Sequence, residues 1–444
     1  MSTWLKKWEP EDTQFWEKTG RKIAWRTLTI TTIALVISFA TWFLMSAVAV
    51  RLPDIGFTYT DMQLFWLAAM PGLAGGTLRI IHTFLIPIFG TRHVVSITTV
   101  LKLFPAIGIG LAVLNPQTPF WLFLILAFSV GLGGGDFSSY MPSTSLFFPK
   151  RLQGTALGIQ AGIGNFGVSI VQFVTPWIVG FAIFGTLAGS YQILIKGEII
   201  RDIWLQNAAF IYVPFLIVVA ILAWIFLRSI PVKASLKEQF DIFNNKHTWF
   251  CTITYVMTFG SFSGYSAAFP LMIATMYGNF PDSPDPLKFA FLGPMVGSLI
   301  RAVMGPLSDR WGGAILTTLS GVVMIFSIVL MLVLGLLTPT SIDQFPLFVA
   351  LMLVIFLASG TGNASTFRQF PIIFAHSARQ GAGVIGWTAS IAAYGPFIWA
   401  SLIGLAITKT DSPIPFFYGI AAYYLIATFI NWYYYQRKGC ERPS

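Results

Sequence analysis

The chain has 444 residues, of which 55% are hydrophobic and 10% are charged, whereas a soluble globular protein carries about 25% charged residues. This composition excludes an ordinary soluble enzyme, a disordered protein and a coiled coil, and the mean hydropathy of +0.73 indicates a polytopic membrane protein. The net charge of +10 does not indicate nucleic-acid binding, because the cations form no dense basic patch along the sequence.

Twelve apolar segments are long enough to cross a bilayer as helices, which takes about 20 residues each. We number them spans 1 to 12; in chain order they are 27–50, 62–89, 94–114, 119–147, 155–188, 204–227, 248–276, 287–307, 313–338, 345–374, 381–407 and 413–436. The predicted fold is therefore all-α and integral to the membrane. Its predicted parts are an N-terminal segment 1–26, a six-helix bundle 27–227, a linker 228–247, a second six-helix bundle 248–436 and a tail 437–444.

The loops between these spans carry their cations unevenly. Of the 27 Lys and Arg residues, 18 lie in segments on the side of the two termini and five lie in loops on the other side. Cytoplasmic loops of membrane proteins carry the excess of Lys and Arg. The sequence therefore predicts that both termini are cytoplasmic.

Two motifs occur once in each half of the chain. Gly75–Arg79 in span 2 and Gly297–Arg301 in span 8 share the pattern GxxxR, and Gly133–Tyr140 in span 4 resembles Gly360–Phe367 in span 10. Six helices followed by six in the same topology form a parallel repeat about a pseudo-two-fold axis. This is the architecture of the major facilitator fold, in which the substrate site lies at mid-membrane between the halves.

Five charged residues fall inside the predicted spans: Arg79, Lys102, Asp136, Arg301 and Arg368. Each central Arg or Lys costs at least about 2.5–3.5 kcal/mol on insertion scales, so such residues are functional hypotheses by default. Arg79 and Arg301 occupy equivalent places in the two halves and are predicted to face one central cavity. Their planar forks suit a planar oxyanion. The alternative is a pair of structural arginines bonded to carbonyls or to an acid.

The other polar residues of the spans have competing interpretations. Arg368 is predicted either to approach the cavity or the cytoplasmic gate, or to extend to the interface from the end of its helix. For Lys102 we favour a packed or snorkelling role. For Asp136 we favour an ion pair over a proton carrier or a satisfied helix residue. His82 is expected to be a hydrogen-bonded core histidine rather than a proton relay. Cysteines and histidines show no metal spacing, so no metal or cofactor is expected.

The chain resembles the NarK-like nitrate/nitrite porters of the major facilitator superfamily over almost its whole length. The motifs that carry the resemblance are Trp8–Asp12, Ser46–Val50, Ala161–Gln172, Thr258–Phe262, Gly305–Gly313 and Gly386–Pro396. The resemblance implies a set of substrate-binding residues: the arginine pair Arg79 and Arg301, the aromatic rings Phe137 and Phe259 on either side of the anion, the hydroxyl donor Tyr255 and the signature asparagine Asn165. Asp136, Lys102 and Arg368 depart from the residue types expected at their positions, which leaves the coupling mode open.

The function implied by the resemblance is electroneutral exchange of nitrate for nitrite by alternating access across the bacterial inner (plasma) membrane. The first alternative is nitrate/proton symport with Asp136 or His82 as the proton site. An anion channel and a membrane enzyme are further alternatives, although the sequence offers no paired carboxylates and no nucleophile with a base. The expected partners are nitrate, nitrite and the lipid bilayer, and the protein is expected to work as a monomer.

Overall fold

A computed structural model describes residues 4–83, 85–196, 199–230 and 237–444. Among these residues, eleven helices are long and apolar enough to cross a membrane. They are Thr13–Trp42, Asp61–His82, Ile88–Ala112, Phe120–Phe147, Thr155–Ile178, Asn207–Phe226, Leu287–Ser308, Gly313–Val333, Ile342–Ile373, Gly383–Thr410 and Ile414–Gln436. They correspond to every predicted span except span 7.

Span 7 was predicted at 248–276 and is helical along its whole length, but it is more polar than the others. It consists of an α-helix Lys246–Tyr255, a π-helical turn Val256–Gly260 and an α-helix Ser261–Tyr277. Its many threonine and serine side chains lower its hydropathy. Their hydroxyl groups are buried, and several donate to backbone carbonyls one turn earlier. This polar helix lies inside the bundle rather than against lipid.

Several predicted span boundaries differ from those of the structure, and for spans 1 and 2 the reason is local. Span 1 ends at Trp42, because the backbone leaves the helical region at Phe43 before a short helix Leu44–Val48 continues the path. Span 2 ends at His82 rather than at 89, and the chain turns back at Gly90, whose φ of +76° is unfavourable for any residue with a side chain. Span 5 ends at Ile178 rather than at 188.

The loop after span 5 adds a short β-hairpin to the helical fold. Strands Gln192–Lys196 and Ile199–Ile203 pair antiparallel as a two-stranded hairpin. Leu194 and Ile203 are buried beneath it, while the alternate positions Ile193 and Ile200 are exposed. A strand places successive side chains on opposite faces, so the pattern is that of a hairpin lying on the surface of the bundle.

The bundle has two faces, which we name by what they carry. Because the chain crosses the bundle an even number of times, its two ends lie at one face, the terminal face. The β-hairpin lies at the opposite face, the hairpin face. The predicted linker 228–247 is at the terminal face; within it a short 3₁₀ segment Lys237–Asn244 is seen, and residues 231–236 lie outside the described residues.

The first six spans and the last six meet along spans 2 and 11 and along spans 5 and 8. Near the hairpin face this contact is tight. The Arg51 side chain, which is 3% exposed, donates to both carboxylate oxygens of Asp285 at 2.6 Å, and the Gln172 amide donates to the Ser266 carbonyl at 2.7 Å. Each of these bonds joins the first half to the second. The bundle is therefore closed at the hairpin face.

Toward the terminal face the packing around three of these spans is less crowded. Gly158 in span 5, Gly305 in span 8 and Gly386 in span 11 have no described atom from elsewhere in the chain within 4 Å of the position that a Cβ atom would take. Each of these glycines lies in the part of its span nearer the terminal face. The direct bonds between the halves described above lie toward the other face, the hairpin face.

Candidate functional site

Arg79 and Arg301 lie deep in the bundle, on equivalent helices of the two halves. Arg79 on span 2 is fully buried and Arg301 on span 8 is 8% exposed. Neither forms an ion pair with any acid among the described residues. Two buried positive charges without a protein counter-ion need an anion to balance them.

The hydrogen bonds of Arg79 join three helices. Its Nε donates to the Gly134 carbonyl on span 4 at 2.9 Å, and one terminal nitrogen donates to the Ala389 carbonyl on span 11 at 2.8 Å. The other terminal nitrogen of Arg79 is buried without a hydrogen-bond partner in the described structure, as is one terminal nitrogen of Arg301. These two nitrogens belong to the two cations that the sequence singled out, and a bound anion would satisfy them.

Aromatic rings surround the two guanidinium groups. The Arg79 guanidinium carbon lies 4.8 Å from the ring centroid of Phe137, 5.3 Å from that of Phe259 and 5.1 Å from that of Trp42, and the Arg301 carbon lies 5.0 Å from that of Phe367. Ring faces attract cations at these distances and exclude water from them. The structure thus brings Phe137 and Phe259 to the arginine pair, and it adds two rings that the sequence interpretation missed.

Those two rings were missed for different reasons. Trp42 lies at the end of the span 1 helix, where its indole N–H donates to the Pro71 carbonyl at 2.8 Å, and nothing in its local sequence separates it from a core tryptophan. Phe367 could have been found, because it is the repeat counterpart of Tyr140 in the motif shared by spans 4 and 10.

Tyr255 and Phe259 are placed together by the π-helical turn of span 7. Their rings stack with centroids 5.7 Å apart, and the Tyr255 hydroxyl donates to the Asn363 side-chain oxygen at 3.4 Å. The tyrosine interacts electrostatically with Arg79 and with Arg301, so it lies beside both. π-helical turns inside α-helices occur frequently at functional sites, because they change the direction in which side chains point.

Asn165, the sixth predicted binding residue, is on span 5 and is buried. Its side-chain oxygen has no hydrogen-bond partner among the described residues. Gln172, two turns further along, joins Ser46 to the Ser266 carbonyl of the second half. Asn165 is therefore a buried amide on a helix that faces the other half, and its side-chain oxygen can still accept a hydrogen bond.

Lys102 and Asp136 form a buried ion pair in the first half, as favoured for Asp136 from the sequence. The lysine also donates to the Ser38 hydroxyl at 2.7 Å, and that hydroxyl donates to Asp136 at 2.6 Å. The snorkelling role for Lys102 is wrong, because its side chain is 1% exposed and its ammonium group is held inside the bundle. The two charges offset each other, so the uncompensated positive charge at the centre is that of the arginine pair.

His82 and Arg368 lie on the edges of this arrangement. His82 is buried, and its Nδ1 lies 3.0 Å from the Ser139 hydroxyl and 3.8 Å from the nearer oxygen of Asp136. These contacts are those of a hydrogen-bonded core histidine, and whether His82 also relays protons stays a prediction. Arg368 is partly exposed in the last turns of span 10, and its role stays a prediction.

Comparisons with known proteins agree with this geometry. The Major Facilitator Superfamily model matches residues 30–400. The probable nitrate/nitrite antiporter NarK2 of Thermus thermophilus is 58% identical over 442 residues, which cover 99% of this chain and 98% of the relative. The nitrate/nitrite transporter NarU of Escherichia coli strain K12 is 36% identical, covering 98% of this chain and 96% of the relative.

Two solved structures share the fold. The D-xylose-proton symporter superposes with a TM-score of 0.72 at 13% identity, covering 92% of this chain and 97% of that one. A bacterial homologue of the lysosomal transporter Spinster, in an inward-facing and unoccupied conformation, gives a TM-score of 0.65 at 15% identity, covering 93% of this chain and 98% of that one. At such identities the likeness is one of fold alone.

Proposed function

The chain belongs to the major facilitator superfamily and, within it, to the NarK-like nitrate/nitrite porters, and on that premise we propose that it carries nitrate and nitrite by one-for-one exchange. The single observation that supports this most is the buried arginine pair, which has no acid partner in the described structure and is walled by aromatic rings. Nitrate and nitrite each carry one negative charge, so the loaded site has the same net charge whichever anion is bound.

The residues have distinct roles in this proposal. The unpartnered nitrogens of Arg79 and Arg301 bind the oxygens of the anion in its plane. Phe137 and Phe259 lie against its faces, where a weakly hydrated anion loses little on leaving water. The Tyr255 hydroxyl, which donates to the Asn363 side-chain oxygen in this structure, and the side-chain NH2 group of Asn165 supply further donors. Burial and ring distances support the roles of the arginine pair and of Phe137 and Phe259, whereas the role of Asn165 rests on the family resemblance.

Exchange follows from the charge of the empty site. Two uncompensated guanidinium groups on opposite halves repel each other, so the halves resist closing around an empty cavity. A bound monoanion relieves that repulsion, and the loaded carrier can then reorient. A ligand shifts a conformational equilibrium only through such a difference in its interactions with the two states.

We further propose that the terminal face is cytoplasmic, that the protein lies in the bacterial inner membrane, and that it acts as a monomer made of the two predicted bundles and their linker. The excess of Lys and Arg at that face supports the orientation.

Exchange is tested by counterflow in proteoliposomes at zero proton gradient. Vesicles loaded with nitrite should take up labelled nitrate at least about tenfold faster than vesicles loaded with chloride, because the empty carrier reorients slowly. The comparison should hold across several pH values. Equal uptake in both kinds of vesicle would contradict obligatory exchange, and conductance far above carrier rates would indicate a channel.

The Arg51–Asp285 ion pair is expected to hold the hairpin face closed. A hydrogen bond to a charged group contributes about 1.5–3 kcal/mol, so Arg51→Gln should raise the population open at that face about tenfold or more. The reporter of opening is Ala68→Cys, at a residue that lines a small pocket between the halves. Its rate of labelling by an impermeant maleimide added at the hairpin face measures the open population. Cys251 and Cys440 are replaced by serine in every variant, so that only the reporter reacts.

The matched control for that experiment is Arg201→Gln, which removes an exposed cation of the same face. It should leave the labelling of the Ala68→Cys reporter unchanged. The exchanged pair Arg51→Asp with Asp285→Arg should restore slow labelling. If Arg51→Gln labels no faster than the parent, the ion pair is not what closes this face.

A further inference from the structure

A second cluster of cations lies away from the central site, where spans 3 and 6 reach the terminal face. We call Lys6, Arg92, Trp224 and Arg228 the basic interface pocket. The backbone N–H of Leu5 donates to the Ser229 carbonyl at 2.8 Å, which holds the N-terminal segment, and with it Lys6, beside the end of span 6. The backbone N–H of Arg92 donates to the Ser229 hydroxyl at 3.4 Å, so three segments that each carry a cation meet at this corner of the bundle.

Arg92 lies directly over that tryptophan. Its guanidinium carbon is 4.5 Å from the centroid of the Trp224 ring, and the His93 ring packs edge-on against the same indole at 5.6 Å. The Nε atom of Arg92 is buried and has no hydrogen-bond partner among the described residues. The stacking fixes the plane of the guanidinium group, while its donors stay available for a ligand.

Arg228 approaches from the end of span 6. One terminal nitrogen donates to the Ile225 and Leu227 carbonyls at 3.3 Å, which anchors the side chain at the last turn of the helix. In the described part of the chain, Lys6, Arg92 and Arg228 form no ion pair, whereas the neighbouring Lys7 is paired with Glu9 at 2.8 Å. The pocket therefore keeps its positive charge.

The pocket opens toward lipid. Trp224 is 48% exposed, and Ile221 and Ile225, which flank it on the same helix, are 51% and 52% exposed. Apolar side chains that are exposed to this extent on a membrane-spanning helix face the acyl chains of the lipid. A tryptophan at the end of such a helix lies at headgroup depth. The cations beside Trp224 are therefore at the height of lipid phosphates.

We propose that the basic interface pocket binds the phosphate of an anionic phospholipid, with Arg92 and Arg228 as its principal donors and Trp224 as its floor. Basic pockets between membrane helices bind anionic headgroups, and each Lys or Arg near the surface adds to the attraction. The site is separate from the anion path between the halves, because spans 3 and 6 lie on the outside of the first bundle. Free inorganic phosphate shares the headgroup chemistry and is distinguished by the test.

The test is native mass spectrometry of the purified full-length protein in detergent, titrated with cardiolipin, phosphatidylglycerol, phosphatidylcholine or inorganic phosphate. Cardiolipin and phosphatidylglycerol should bind the parent protein, and their apparent Kd should rise about 30-fold in Arg92→Gln/Arg228→Gln. Phosphatidylcholine and phosphate should bind weakly and should not discriminate between the two proteins.

The matched control is Arg310→Gln/Arg437→Gln, which removes two cations from the terminal face of the second half. It should keep the Kd of the parent. Trp224→Phe keeps an aromatic ring at the floor of the pocket and should raise the Kd for anionic lipid by only a few-fold. It serves as a second control, because it shows that a substitution in this pocket does not by itself unfold the protein. An unchanged Kd in Arg92→Gln/Arg228→Gln, an equal loss in the control, or inorganic phosphate competing as strongly as lipid would each overturn the proposal.

Discussion

Arg301→Lys should strongly impair nitrate/nitrite exchange, with a fall in uptake of about 10- to 150-fold, and Arg79→Lys should do the same. Lysine keeps the positive charge but replaces a planar fork with a single ammonium group, so two parallel hydrogen bonds to the anion become one. A hydrogen bond to a charged partner contributes about 1.5–3 kcal/mol, and one factor of ten corresponds to about 1.4 kcal/mol.

Arg79→Lys should in addition lose the bonds to Gly134 and Ala389, which join span 2 to spans 4 and 11. It is therefore expected to lower the melting temperature, whereas Arg301→Lys should leave it almost unchanged. Uptake of labelled nitrate into nitrite-loaded proteoliposomes measures the transport effect. Intrinsic tryptophan fluorescence during heating measures the stability effect.

The control for the arginine pair is Arg437→Lys, a cation stacked 3.9 Å over Tyr433 at the terminal face. It should exchange anions at the rate of the parent. If Arg301→Lys transports at close to the parent rate while folding normally, the guanidinium group does not bind the anion with two bonds. The charge alone would then account for the site.

Asp136→Asn should destabilise the protein by about 3–5 kcal/mol, because it leaves the Lys102 ammonium group buried without a counter-charge. The double variant Lys102→Met/Asp136→Leu should recover most of that loss, since apolar residues of similar size replace a buried ion pair at little cost. Ser38 keeps a partner in the double variant through its bond to the Ala34 carbonyl at 2.7 Å. Thermal unfolding in detergent, followed for parent, single and double variants, measures the recovery.

The same double variant separates exchange from proton symport through Asp136. Exchange through the arginine pair requires no titratable group at residue 136, so nitrate uptake into nitrite-loaded vesicles should stay within a few-fold of the parent. Proton symport through Asp136 predicts the opposite: uptake driven by an imposed pH gradient in the parent and its loss in the double variant. That outcome, in a folded double variant, would replace exchange with symport.

The repeat of the two halves made one part of the central site predictable from the sequence, namely the arginine pair. Arg79 and Arg301 could be paired because the GxxxR motif occurs at equivalent places in two halves of the same topology. Phe137, Phe259 and Tyr255 were supplied by the family resemblance, and on sequence alone they are ordinary core aromatics. The structure places these side chains together; which of them bind the anion stays a prediction for the variants above.

Other features depend on contacts that no local pattern encodes. The partner of Lys102 is Asp136 on another helix, and the partner of Arg51 is Asp285, more than 200 residues away. In the sequence Arg51 is only a cation in an outer loop, yet in the fold it pairs with an acid of the other half. Trp42 likewise lies over Arg79 although the two residues belong to different helices.

The sequence by itself determined the spans, the repeat and the excess positive charge at mid-membrane. Membrane insertion depends on the apolarity of about 20 consecutive residues, which is a local property. Only the tertiary structure decided which of the buried charges are offset, which rings surround the remaining two, and at which face the halves are closed. Those outcomes depend on distances between helices far apart in the chain, and the strength of a charge interaction is set by distance and by the exclusion of water.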